Sequence, residues 1–259
     1  MDVADRDISA LEGYHLIPRL LHDVHEVSSR FEVYGQSFDA PILPLVDGAK
    51  VKLESLSLVE AELALNDDDL AFECTIPLLK SEKMGQLMPK VRKLAAKNVP
   101  AIALDFTLLA ETPPFGNNEW RPKTREDLAE LAAAAGCPVW LYGISSPDDA
   151  QIAAEAGLDA IVIHAGAGYY LDAPATIDIF PEIFDTIAGM ISVYAGGPIR
   201  NGIDIFRYLA VGAEAVIVDS DRSLANLTAE LHYAMRLTGC ETLSDIGYDV
   251  IFAPLFNDV

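Results

Sequence analysis

Glu73, Asp105 and His164 are residues whose types could share acid–base work, and each lies in or beside a short apolar run. An imidazole exchanges a proton near neutral pH, and two carboxylates held close together raise one another's proton affinity. Such a set could transfer protons directly or around a bound metal. Gly166-Ala167-Gly168 looks like a phosphate loop but lacks the glycine spacing of a dinucleotide fingerprint. Trp140, Tyr169 and Tyr170 could line a pocket or simply pack. Cys74, Cys137 and Cys240 are odd in number and lack ligand spacing, so they read as small core or boundary residues. Asn66-Asp67-Asp68-Asp69 reads as a surface loop. No metal site is expected.

The elements that must position these groups have a repeating grammar. Apolar runs at Ala101–Phe106, Val139–Ile144, Ala160–His164, Ile191–Tyr194 and Ala213–Val218 alternate with helical patterns such as Arg125–Ala135 and Pro147–Ala156. Continuous apolar runs suit strands of a parallel sheet buried on both faces. Thr124 and Ser146 stand where helix caps belong, the second followed by Pro147 at the first helical position. Gly136, Gly157 and Gly212 stop helices just before the next strand. This grammar predicts a single (β/α)8 TIM barrel over 1–259, with a doubly wound sheet as the competing arrangement.

Composition narrows the class further. The chain has 259 residues, 51% of them hydrophobic, enough for one large core. It holds 40 acidic residues against 18 Lys and Arg, a net charge of −22, which disfavours nucleic acid and anionic membranes as partners. No apolar run reaches the length of a membrane span, and MDVADRDISALEGY is not a secretory leader. The cytoplasm is therefore the expected compartment.

Pro138–Gly239, together with IPRLLHDVHEVSSRFEVYGQSFDAPILPLV near the N-terminus, resembles the FMN-dependent α-hydroxy-acid oxidase and dehydrogenase family, which includes glycolate oxidase, lactate oxidase and lactate monooxygenase. The resemblance implies an FMN-binding barrel, here abbreviated in its N-terminal half. One β/α unit is missing or replaced between Val46 and Leu70, its strand either lost or replaced by Val51 to Leu58, and the loop after Asp105 is shortened. It also implies that the catalytic constellation is degenerate. Tyr142 stands in place of the lysine beside the flavin. Gly166 occupies the position of the histidine base, Tyr169 that of the carboxylate-binding arginine, and Ala195 that of the aspartate orienting the base. His164, two residues before the lost base, is a displaced base or a core histidine.

For the cofactor, the resemblance places Gly196, Gly197 and Arg200 at the phosphate, Asp219-Ser220 where a Gly-Arg pair belongs, and Glu73 and Thr75 at the flavin edge. Asp105 is the residue kept on the fourth strand. Loss of the arginine removes a contact worth roughly 1.5–3 kcal/mol, and acids replace neutral or basic groups. FMN binding is therefore expected to be weak or absent. The first expectation is a non-catalytic subunit, regulator or small-ligand binder. The others are an active flavin oxidoreductase using His164, Tyr142 or Tyr169, and a flavin-free enzyme using Glu73, Asp105 and His164. A homo-oligomer or partner protein is expected to cover apolar surface near Leu53 to Leu65.

Overall fold

The computed structural model describes residues 3–46, 55–107, 122–166, 173–187, 189–219 and 221–253. Helix α1 (Val3–Glu12), strand β1 (His15–Leu16) and the hairpin β2 (Phe31–Val33) and β3 (Gln36–Phe38) precede the barrel. Its eight strands are β4 (Ile42–Val46), β5 (Ser57–Glu60), β6 (Thr75–Lys80), β7 (Ile102–Asp105), β8 (Val139–Ile144), β9 (Ala160–Ile163), β10 (Ser192–Ala195) and β11 (Ala215–Asp219). They pair in parallel, and β11 closes on β4. Between them run α2 (Ala61–Asn66), α3 (Met84–Ala95), α4 (Arg125–Ala135), α5 (Pro147–Glu155), α6 (Thr176–Ile187) and α7 (Gly202–Ala210); α8 (Leu224–Thr238) and β12 (Ile251–Phe252) follow.

The caps are formed as their residue types require. Thr124 accepts from the Asp127 amide and Asp127 returns a bond to the Thr124 amide, while Ser146 accepts from the Asp149 amide ahead of α5. Every residue of β7, β8 and β9 is buried. The barrel interior holds Leu43, Leu58, Ile76, Ala103, Trp140, Val162, Tyr194 and Ile217, and a second core lies between strands and helices. The hairpin closes the end where the strands begin. There Trp140 donates to the Tyr34 hydroxyl at 2.6 Å and its ring packs 4.6 Å from that of Tyr194.

Of the two alternatives for the second strand, its loss is corrected, and the strand found overlaps the end of the expected Val51 to Leu58 replacement. The second strand is present as β5, hydrogen-bonded to β4 on one side and β6 on the other. The helix that follows it, α2, is only six residues long. Lys93 of α3 and Lys97 just after it donate to the Leu65 and Ala64 carbonyls, so the neighbouring segment satisfies the open end of this short helix. For the same reason the expected uncovered flank is largely absent. Leu56, Leu58, Ala61, Ala64 and Leu65 are buried within the chain itself, while Leu53 lies outside the described residues.

Candidate functional site at the strand ends

Side chains alternate along each strand, so the interior series continue to the C-terminal mouth. Ala103 leads to Asp105, Val162 to His164, Tyr194 to Gly196, Ile217 to Asp219, and Leu78 to Lys80. Tyr142 lies on the interior face of β8. In register, Lys80 is opposite Asp105, and Asp105 is opposite Tyr142. The mouth is thus built from Asp105, Tyr142, His164, Gly196, Asp219 and Lys80.

His164 and Tyr142 occupy its centre, with ring centroids 5.4 Å apart. The Gly166 amide donates to His164 Nδ1 at 2.8 Å, so the proton of the neutral ring sits on Nε2. Removal from water lowers the His164 pKa to about 4, and the ring is neutral at pH 7. Burial pushes the Tyr142 hydroxyl well above the ordinary phenol range, and the negative charges of Asp105 and Asp219 push it further. Asp105 accepts from the Thr107 amide at 2.8 Å and from its hydroxyl at 2.6 Å.

Two glycines make this arrangement possible. A Cβ on Gly166 would lie 2.6 Å from His164 Cε1 and 2.7 Å from its Nδ1. The imidazole therefore fills the space that any side chain at position 166 would need. A Cβ on Gly196 would lie 2.9 Å from His164 Cδ2 and 3.1 Å from the Tyr142 hydroxyl. Both rings converge on the bare backbone of Gly196, just after β10. Ala195, the expected orienter position, belongs to the outer core.

The expected phosphate cradle is not assembled. Arg200 makes two bonds to Asp204, at 3.0 and 3.1 Å, and a third to Glu12 of α1. Asp204 is fully buried and also holds Arg207 at 2.8 Å. The Gly196 amide donates to the Ile163 carbonyl, and a Cβ on Gly197 would lie 3.5 Å from the buried Asp7 carboxylate. Asp7 itself accepts from the Thr176 amide and hydroxyl, closing the start of α6. With Arg200 engaged and the Asp7 carboxylate beside Gly197, these residues do not fit a dianionic phosphate.

Glu73 and Thr75 are at the wrong end for the flavin edge. Thr75 opens β6, and its hydroxyl donates to the Ala71 carbonyl. Glu73 lies in the turn before it, where its carbonyl accepts from Gln36 of the hairpin. The strand runs Thr75–Lys80, so its mouth residue is Lys80, which the sequence reading missed. The period-two series Ile76, Leu78, Lys80 was the available signal. The flavin-free set Glu73, Asp105 and His164 is accordingly not brought together. Tyr169 and Ser220 lie outside the described residues. Among the described residues no group of three potential ligands could hold a metal ion, and no helix is long and apolar enough to cross a membrane.

With this barrel and mouth in view, the comparisons with known proteins decide the family. The family model of FMN-dependent dehydrogenases matches residues 109–253. This chain belongs to the FMN-dependent dehydrogenase family. It is 32% identical over 311 residues to 2-hydroxyacid oxidase 2 of Rattus norvegicus, covering 95% of this chain and 88% of that protein. It is 37% identical over 143 residues to an L-lactate oxidase of Roseobacter sp. (strain GAI101), covering 49% of this chain and 39% of that one. In fold it is similar to a mandelate oxidase variant with a monooxide FMN adduct, at a TM-score of 0.75 and 22% identity, covering 94% of this chain and 89% of that one. Relative to these family members the present chain is shortened.

Proposed function

We propose that this family member has lost the family's 2-hydroxy-acid oxidation and uses its barrel mouth to bind a small ligand. The observation that carries the reading is the seat of His164. Its ring occupies the space over Gly166, its Nδ1 is taken by the Gly166 amide, and its Nε2 carries the proton. A substrate α-proton would therefore meet an N–H rather than a lone pair. To act as a base the ring must break the Gly166 bond, and protonating a group of pKa about 4 at pH 7 costs about 4 kcal/mol. Among the described residues no carboxylate bonds to it, and the residue that faces it just after β10 is Gly196.

What the mouth offers instead is two neutral donors, the Tyr142 hydroxyl and His164 Nε2–H. Neither has an acceptor among the described residues. With Lys80 at the rim, these groups suit a ligand that presents an acceptor oxygen. FMN affinity is expected to be weak or absent, since the phosphate would meet Asp7 while Arg200 is engaged by Asp204 and Glu12. Titration with FMN followed by flavin fluorescence quenching tests this. The expected result is no saturation at submicromolar FMN, and saturation there would overturn this part of the reading.

A further inference from the structure

A groove on the outer flank, between the hairpin and α8, is separate from the mouth. One cavity of about 570 Å³ has an apolar wall that includes Phe38, Ile42, Leu224, Ala225 and Ala229. A neighbouring cavity of about 390 Å³ shares four polar residues with it, Ser37, Asp39, Thr228 and His232. Both volumes lie in the range of small-molecule sites.

Its chemistry follows from one hydrogen-bond chain. The Ser29 hydroxyl lies 2.6 Å from the Asp39 backbone carbonyl, which can only accept, so the serine proton points there. His232 Nε2 lies 2.7 Å from the same hydroxyl and must therefore be the donor. This fixes the tautomer and leaves Nδ1 with a lone pair. Burial and the nearby Arg236 lower the proton affinity of the ring, against an opposing pull from Asp39. The Ser29, His232 and Asp39 trio is not a hydrolytic triad, because Ser29 is buried and its proton goes to a carbonyl. The Asp39 carboxylate makes no ion pair among the described residues. Arg30, at the edge of the smaller cavity, sits 3.4 Å from Glu32.

The shared centre is thus rich in acceptors, beside an apolar wall. We infer that this groove binds a small organic ammonium ion. Its charged end lies at the Asp39 carboxylate and His232 Nδ1, and its hydrocarbon part lies along Ile42, Leu224 and Ala229. This inference is independent of the reading of the mouth.

Calorimetric titration of the full chain at pH 7.5 and physiological salt, with hexylamine as the probe and hexan-1-ol and hexanoate as controls, tests it. The expected result is saturable binding of one hexylammonium per chain, at least 10-fold weaker in Asp39→Asn and unchanged in the remote surface variant Asp148→Asn. His232→Gln, whose amide can still donate to Ser29, should also weaken binding while the circular dichroism spectrum stays that of the parent. No saturable binding overturns the inference. So does an isotherm indifferent to Asp39→Asn, which would show general attraction to the −22 charge. Binding of hexanoate as tight as that of the amine overturns it too.

Discussion

The Gly166 amide donates to the His164 imidazole at 2.8 Å, and a methyl group added to Gly166 would lie 2.6 Å from that same ring. The two residues are therefore fitted to one another. Gly166→Ala should destabilise the fold by about 1–3 kcal/mol, the usual range for overpacking. Combined with His164→Ala, which empties the space, it should cost less than the sum of the two single changes. Urea unfolding of the four proteins in this cycle checks the coupling, and additive costs would mean that the ring does not fill the Gly166 space.

Acid should weaken the fold through His164. Its folded pKa is about 4 against an ordinary 6.5, so the unfolded chain binds the extra proton throughout the interval between these values. Stability from this group is complete above the unfolded value and is lost as pH falls from about 6.5 to about 4, by roughly 3 kcal/mol in all. Asp7 and Asp178 have raised pKa values, so their contributions run the other way and decline as pH rises. The test is therefore the difference between the parent and His164→Asn in urea unfolding at pH 7.5 and 4.5. The parent's advantage should shrink at the lower pH.

Arg200 should act on stability rather than on cofactor affinity. Its bonds to Asp204 anchor a carboxylate that is fully buried at the start of α7. Arg200→Met should destabilise by about 2 kcal/mol, although Arg207 still holds Asp204. The same variant should leave FMN affinity unchanged in a fluorescence titration. A loss of FMN affinity without a loss of stability would assign Arg200 to the phosphate after all.

The regular units after Pro100 were legible because strands buried on both faces leave unbroken apolar runs, and Thr124 and Ser146 announce their helices. The start of β6 was not, because the residues before Thr75 are as apolar as those after it, and only pairing with β5 and β7 sets where the strand starts. That displacement moved Glu73 and Thr75 to the mouth on paper and hid Lys80. Asp204 stands four residues after Arg200, a spacing visible in sequence, but its second partner Glu12 is 188 residues away in the chain and could not be read there. Tyr142 and His164 could be placed at strand ends from the apolar runs that precede them. The way His164 fills the space over Gly166 required the backbone.

Association should involve the segment after β1 rather than the β5 flank. Leu20 and Leu21 are 86% and 94% exposed, and Phe252 beside β1 is 63% exposed. Isolated apolar residues are common on surfaces, but two consecutive leucines this exposed favour burial by a partner or a second copy. Sedimentation should show an assembly larger than one chain that dissociates in a Leu20→Glu, Leu21→Glu variant. A monomer in the parent would count against it.

The central claim is that the mouth no longer abstracts a proton from a 2-hydroxy acid, and steady-state turnover tests it most directly. Purified protein supplied with excess FMN, and with glycolate, lactate or mandelate in turn, should show no substrate oxidation above the rate without protein. The loss of general-base catalysis alone typically removes 10²–10⁴-fold in rate. Robust turnover of any of the three, abolished by His164→Ala, would contradict the account.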